Sequence, residues 1–303
     1  MNVIQRVWQT KAPDFLLAMV RLLFEPKIFK ERRKALLKQY ENVDLAALPT
    51  EIRNGINYLK THPFSPFPFE WAQKYDILIP EVFRDEVHAC FYTLFEGKKM
   101  YFPKHYTHTH VIWAIRSIFK EQDPQSPHLY LTDDFQLEPD SIVVDAGVAE
   151  GNFALSVVEK AKKLYLIECN PAWMEALRLT FSPWKDKVIF VEKYLSEEVG
   201  PSTISIDSLL VAEPGGKYFI KLDIEGFEQK ALTGMQKLIT SGNSIKMNVC
   251  TYHHPEDCKE IEATLCSHGF SCEVSDGYLI YFQRNEVPSF RKALIRAGKK
   301  VFL

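Results

Sequence analysis

The stretch Ile142-Val143-Val144-Asp145-Ala146-Gly147-Val148-Ala149-Glu150-Gly151 constrains this chain more than any other. Three β-branched residues in a row, with no charge before Asp145, read as a strand buried on both faces. Two glycines then mark a tight turn, and Phe153 to Val158 behind it is apolar. Strand, glycine turn and helix open a nucleotide-binding α/β unit. The glycines are spaced Gly-x-x-x-Gly, however, and not Gly-x-Gly-x-x-Gly. A dinucleotide site needs its second glycine so that a pyrophosphate can approach the backbone, and Ala149 stands there. The pattern suits a ligand with an adenosine and a positive group but no diphosphate. S-adenosylmethionine (AdoMet) is the expected ligand, and Ala149 counts against a nicotinamide dehydrogenase.

Leu164-Tyr165-Leu166-Ile167 is a second apolar strand, and it ends in Glu168. An acid about twenty positions after the glycine turn, at the carboxyl end of the second strand, is placed to accept hydrogen bonds from both ribose hydroxyls. Asn170-Pro171 then starts a helix, with proline in a tolerated first-turn position.

The chain alternates strand and helix from residue 141. Strands are expected at 142–146, 164–168, 188–192, 218–223, 245–251, 271–275 and 278–282, and helices at 152–162, 171–181, 226–240 and 256–268. Such alternation predicts a Rossmann-like α/β fold with a mostly parallel sheet. Asp276-Gly277 predicts that the last two strands form an antiparallel hairpin. The tail 291–303 is rich in cations, with five between Arg291 and Lys300 and no acid, and reads as a solvated terminal helix.

The N-terminal part is different. Pro13–Phe24, Lys27–Tyr40 and Leu45–Leu59 read as helices. His62-Pro63-Phe64-Ser65-Pro66-Phe67-Pro68-Phe69 then excludes a helix, because each proline removes a donor and restricts its neighbour. The expected organisation is a helical region with its connector at 1–69, a lead-in at 70–140, the ligand-binding domain at 141–290 and the basic tail. The lead-in holds a β-hairpin at 89–102 turning at Glu96-Gly97-Lys98, a helix at Val111–Phe119 and a polar loop, Glu121–Tyr130. Loops in that position fold over the ligand, so His128 is a candidate for binding substrate.

Tyr218-Phe-Ile-Lys221-Leu-Asp223-Ile-Glu225-Gly226-Phe-Glu228 is the second segment that carries chemistry. Acids alternate as an apolar strand ends, where open α/β sheets bind their ligands. Asp223 and Glu225 are therefore expected in the same crevice as Gly147 and Glu168. Glu228 falls in the first turn of the next helix, where the dipole favours an anion. A general base for an alcohol acceptor is expected at Asp223 or His253. Asp223, Glu225 and His253 form an alternative set for a divalent metal, since hard carboxylates suit Mg²⁺. His253-His254 has no zinc-type spacing.

Four pieces appear in order: Asp145-x-Gly147-x-x-x-Gly151, Glu168 with Asn170-Pro171, Ser205-Ile-Asp207-Ser-Leu209, and Lys221-x-Asp223-x-Glu225-Gly226-x-Glu228 with Leu232-x-Gly234. Over roughly residues 140–282 the chain resembles FkbM-type AdoMet-dependent methyltransferases. The resemblance implies a class I methyltransferase fold, AdoMet as cofactor, and O-methylation of small molecules or sugars. Gly147, Gly151 and Glu168 are implied to hold the cofactor and Asp223 to sit beside its methionine end. The full expected set is Asp145, Gly147, Val148, Glu150, Gly151, Glu168, Cys169 and Asp223, with Asp223 and His253 catalytic and His128 and Glu225 facing the substrate. The chain departs from the family at Glu150, where a neutral amide is usual, and at Asn248-Val-Cys-Thr-Tyr-His253-His254, where an acid is missing. A non-catalytic AdoMet- or nucleotide-binding module, or a scaffold, is the competing reading, because a fold does not fix a function.

A net charge of −2 argues against a general nucleic-acid binder. The strand ending at Asp223 also lacks the Asn/Asp-Pro-Pro-Tyr and Pro-Cys endings of base-methylating enzymes, so a small molecule or glycan is the expected partner. No apolar run reaches the length of a membrane span. Arg6, Lys11 and Asp14 do not suit a signal peptide, and six scattered cysteines read as free thiols in a reducing cytoplasm. The N-terminal helical region is the expected place for a homodimer contact.

Overall fold

The strand expected at 142–146 lies inside a seven-stranded sheet with neighbours on both sides. The computed structural model describes residues 22, 25–213, 215–283 and 286–299. Of the helix expected at Pro13–Phe24 only Leu22 is among them.

Two helices come first, α1 (Lys27–Gln39) and α2 (Thr50–Thr61). Pro26 and Pro49 stand immediately before them, where a missing donor costs nothing. Leu36, Leu59 and Phe64 bury themselves against Ile280, so the Pro/Phe connector packs this region onto the C-terminal part of the chain. A short helix, α3 (Gln73–Asp76), precedes an antiparallel sheet of β1 (Phe83–Asp85), β2 (Cys90–Phe95) and β3 (Lys98–Tyr101). The last two are the expected hairpin, turning at Glu96-Gly97 with φ of 49° and 77°. Helix α4 (His108–Glu121) starts earlier than expected because Thr107 and His110 form a capping box.

The main unit then runs β4 (Ile142–Ala146), α5 (Asn152–Val157), β5 (Lys163–Ile167), α6 (Pro171–Thr180) and β6 (Val188–Val191). A small parallel pair, β7 (Tyr194–Leu195) with β8 (Thr203–Ile204), and the turn α7 (Ile206–Leu209) lead to β9 (Lys217–Leu222). The helix expected at 226–240 is two pieces, α8 (Glu228–Thr233) and α9 (Gln236–Thr240). They break at Gly234, where an added Cβ would lie 2.4 Å from the Ser196 carbonyl oxygen. Next come β10 (Ser244–Cys250), α10 (Asp257–Ser267), β11 (Ser271–Val274), β12 (Leu279–Tyr281), β13 (Ser289–Arg291) and β14 (Leu294–Lys299).

The sheet order is β11-β14-β10-β9-β4-β5-β6. Only β14 runs antiparallel to its neighbours, and the order reverses between β4 and β9. This is the Rossmann-like α/β arrangement expected, and its switch point places the crevice at the carboxyl ends of β4 and β9. Period-2 alternation divides the strands between two cores: Val144, Ile220 and Met247 face one, and Val143, Leu164 and Phe219 the other.

The C-terminal expectations need two corrections. β11 and β12 do not form a hairpin; β12 pairs with β13 in a separate two-stranded sheet. The reason is that β14 occupies the pairing edge of β11. The segment Arg291–Lys300 is not a solvated helix either. Its described residues, Arg291–Lys299, supply the end of β13 and all of β14, with Ile295 and Ala297 in one core and Leu294 in the other. The sheet therefore extends past residue 290, and the cations that suggested a surface tail alternate with buried apolar residues. Among the described residues no helix is long and apolar enough to cross a membrane.

Ile295→Ala should lower the unfolding free energy by about 2–5 kcal/mol in urea denaturation, as for other buried aliphatic truncations. An exposed helical position would change by about 0.5 kcal/mol or less.

Candidate active site

Gly147 joins the two motifs. Its φ is 72°, and its N–H donates to the Ile167 carbonyl at 3.0 Å. A Cβ there would lie 1.7 Å from the Asp223 carbonyl oxygen, so any side chain would push β9 off β4. Glu168, just past β5, is buried and anchored by backbone: Oε2 accepts from Ala149 N–H at 3.1 Å and Oε1 from Asn170 N–H at 2.8 Å. The turn and Glu168 are thus held together by backbone hydrogen bonds. Val148 is buried beneath the turn, Cys169 is exposed, and Gly151 caps α5 in the left-handed conformation. Glu150 is half-buried, and burial pushes its carboxyl up.

Asp145 is not at the crevice surface. It is fully buried opposite Lys221 on the neighbouring strand, with Nζ 3.0 Å from Oδ1. Lys221 also donates to the Gly147 carbonyl at 2.9 Å. Burial opposes the charge on Lys221, but the Asp145 and Asp223 carboxylates more than offset it and hold the ammonium. The pair belongs to a longer row. Asp145, Lys221, Asn248, Arg296 and Glu273 stand in register across five strands. Asn248 Nδ2 donates to the Tyr130 carbonyl at 3.0 Å, and Arg296 Nη2 to the Leu129 carbonyl at 2.5 Å. Arg296 Nη1 also donates to Glu273 at 3.0 Å. The row therefore stitches the polar loop before β4 onto the sheet.

Asp223 is the centre of the site. Oδ2 accepts from the Tyr130 hydroxyl at 2.9 Å and Oδ1 from the Tyr252 hydroxyl at 2.7 Å. Burial alone would raise its carboxyl. Lys221, His128, His253 and the Tyr252 hydrogen bond outweigh that and hold it well below the usual carboxylate range. His128 is buried with Nε2 3.8 Å from Oδ2, and burial lowers its pKa to about 4, so it stays neutral. His253 is buried on the other side, 3.6 Å from Oδ1. Burial disfavours its charge, but Glu228, 3.0 Å from Nδ1, and the carboxylates of Asp223 and Glu225 outweigh it and raise the imidazole. These neighbours favour the protonated form of His253, which fits a charged partner of Asp223 better than a base.

Glu228 lies in the first turn of α8 as expected, but Glu225 does not face the crevice. The Glu225 side chain is 85% exposed, while that of Glu228 is 1% exposed and accepts from Ile224 N–H at 2.8 Å. Among the described residues two trios have converging ligand atoms, His128 with Asp223 and Cys250, and Asp223 with Glu228 and His253, and neither includes Glu225. At the rim, burial, Glu150 and Asp223 raise Glu121 to about 8.

The sequence reading did not single out Tyr130, Tyr252, Asn248, Arg296 or Glu121. The first two carry no motif, and their hydroxyls meet only because Asp223 lies between a loop and a strand end. Arg296 was hidden among the cations of the tail.

Residues 138–272 match the model of the methyltransferase FkbM domain. This chain carries an FkbM-type methyltransferase domain. The family implies AdoMet as methyl donor. Among solved structures, the chain is similar to methyltransferase FkbM from Methylobacillus flagellatus KT, at 16% identity and a TM-score of 0.44, covering 63% of this chain and 54% of that one. It is also similar to precorrin-6y C5,15-methyltransferase from Geobacter metallireducens GS-15, at 15% identity and TM-score 0.38, covering 55% and 82%. An rRNA methylase from Streptococcus thermophilus matches at 15% identity and TM-score 0.35, covering 54% and 89%. These likenesses concern the fold alone. No curated protein matches the chain.

Lys221→Met should cost about 3–5 kcal/mol of stability, because it leaves a buried carboxylate unpaired, and adding Asp145→Leu should recover most of the loss. Chemical denaturation of the three variants decides it. For His253, a pKa raised above 6.5 means the folded state binds the extra proton. Its contribution is complete below pH 6.5 and is lost as pH rises through the folded-state pKa. The stability gap between wild type and His253→Gln should therefore narrow with rising pH; a widening gap would show a neutral buried imidazole.

Proposed function

We propose that this domain transfers the methyl group of AdoMet to a hydroxyl of a small molecule or glycan, in the crevice at the carboxyl ends of β4, β5 and β9. The observation that carries the reading is Asp223, an anion fixed by two tyrosine hydroxyls and still 19% exposed. The residues present fit the cofactor. Glu168 is anchored by two amides and retains lone pairs for a ribose diol. Asp223 faces the crevice as an anion with the Glu150 carboxyl near it, which suits a sulfonium cation. AdoMet supplies an electrophilic methyl carbon.

The chain's own residues do the rest. Glu168 binds the ribose, and the turn from Gly147 to Gly151 presents its backbone. Asp223 uses its remaining lone pairs to accept the acceptor O–H and to take up its proton, so the base role falls to Asp223 rather than His253. His253, whose protonated form Glu228 favours, and Lys221 hold Asp223 ionised and in place. His128, Tyr130 and Tyr252 wall the site and exclude water. Such alignment can supply much of the rate, since effective molarities of oriented pairs reach about 10⁵ M or more.

Calorimetry with AdoMet, S-adenosylhomocysteine and NADH, with and without Mg²⁺, tests the cofactor. The two adenosyl ligands should bind and NADH should not. Glu168→Ala should abolish that binding, whereas Asp223→Asn should keep most of it and lose about 10²–10⁴-fold in turnover. Labelled methyl groups should enter hydroxylated small molecules or glycans; label entering RNA instead would overturn the acceptor assignment.

A further inference from the structure

We propose that His128, Asp223 and Cys250 bind a divalent cation of the zinc class. Cys250 ends β10 and Asp223 follows β9, so two neighbouring parallel strands deliver them to the same end of the sheet. His128 comes from the loop that Asn248 and Arg296 pin to the sheet through the carbonyls of Tyr130 and Leu129. All three ligand backbones are therefore fixed independently of any ion.

The geometry is that of a ligand set. His128 Nε2 lies 3.7 Å from Cys250 Sγ and 3.8 Å from Asp223 Oδ2, and the three atoms fall within 4.8 Å of one another. The 3.8 Å separation is long for a hydrogen bond to a carboxylate, while the 3.7 Å one is a weak imidazole–thiol contact. Bonds of about 2.3 Å to sulfur and about 2.0–2.2 Å to nitrogen and oxygen, at tetrahedral angles, separate ligand atoms by about 3.4–3.6 Å. One sulfur, one imidazole and one carboxylate favour zinc over Mg²⁺ or Ca²⁺, which take oxygen ligands. The hydroxyls of Tyr130 and Tyr252 orient the Asp223 carboxylate as outer-shell partners. Lys221 is close and is shared by Asp145 and Asp223; burial and Asp223 push the Cys250 thiol up, so a bound cation would take the place of its proton. A second trio, Asp223, Glu228 and His253, is less apt, because Glu228 and His253 already satisfy each other at 3.0 Å.

His128 and Cys250 are buried and Asp223 is the member open to the crevice, so three protein ligands leave the fourth position toward the acceptor. A coordinated acceptor hydroxyl would release its proton more readily, to the Asp223 carboxylate oxygen that does not ligate the cation. The acceptor oxygen then forms the bond to the methyl carbon, and the carbon–sulfur bond breaks with its electron pair on sulfur. This role rests on the proposed methyl transfer; the binding itself does not.

The test is made on the full chain, stripped with a chelator and with AdoMet absent. Cobalt(II) titration should give a thiolate-to-cobalt charge-transfer band at one equivalent, displaced by zinc. The band should vanish in Cys250→Ser and persist in Cys266→Ser, and affinity should fall at least about tenfold in His128→Asn. X-ray absorption of the zinc-loaded wild type, which needs no variant, should show one sulfur at about 2.3 Å with nitrogen and oxygen neighbours. No thiolate–cobalt band in the wild type, a band surviving Cys250→Ser, or a zinc shell without sulfur would overturn the site. Because AdoMet is absent, failure here leaves the methyltransferase reading intact, and failure to bind AdoMet leaves the metal result intact.

Discussion

Lys221 is the interaction on which the site depends. An ammonium inside an α/β sheet is tolerable only if its charge is met, and Asp145 meets it directly across the strand pair. The consequence reaches beyond the pair. Lys221 also takes the Gly147 carbonyl, which ties the glycine turn to β9, and its field keeps Asp223 ionised. One buried cation thus links the cofactor turn to the carboxylate proposed to act on the acceptor.

The same row of polar side chains solves a second problem. A loop that closes over a ligand must be held without blocking the crevice. Asn248 and Arg296 grip the 129–130 backbone through its carbonyls, so the side chains of His128 and Tyr130 are left to face Asp223. The grip depends on β14, because Arg296 is delivered by the strand that inserts between β10 and β11. The last strand of the chain therefore positions a loop made more than a hundred residues earlier. Around Asp223 the two histidines sit in opposite states. Burial keeps His128 neutral, whereas Glu228 first and the nearby carboxylates next favour the protonated form of His253. Two imidazoles at similar distances from one carboxylate have different chemistry because only one has a buried carboxylate behind it.

Much of this was legible in the residues. The glycine turn, Glu168 and the Asp223 segment announce an AdoMet-type crevice, because backbone approach and strand-end acids leave local marks. Most strands fell where alternating or continuous apolar runs placed them. The C-terminal region was misread for a physical reason: a strand that alternates Leu294, Arg296 and Gly298 with Ile295 and Ala297 looks cationic when its charges are counted, and looks like a strand only when its parity is followed. The place of Glu225 was hidden because the chain turns through a left-handed residue there and points that side chain outward.

The sequence by itself determined the fold class, the position of the glycine turn and the acids that end two strands. These follow from local steric demands and hydrophobic periodicity, which act over a few residues. The tertiary structure alone decided which buried charges meet, which tyrosines hold Asp223, and that His128 and Cys250 converge on it. Those contacts join residues from separate strands and loops, and their strength depends on burial and distance. Neither quantity exists until the sheet has assembled.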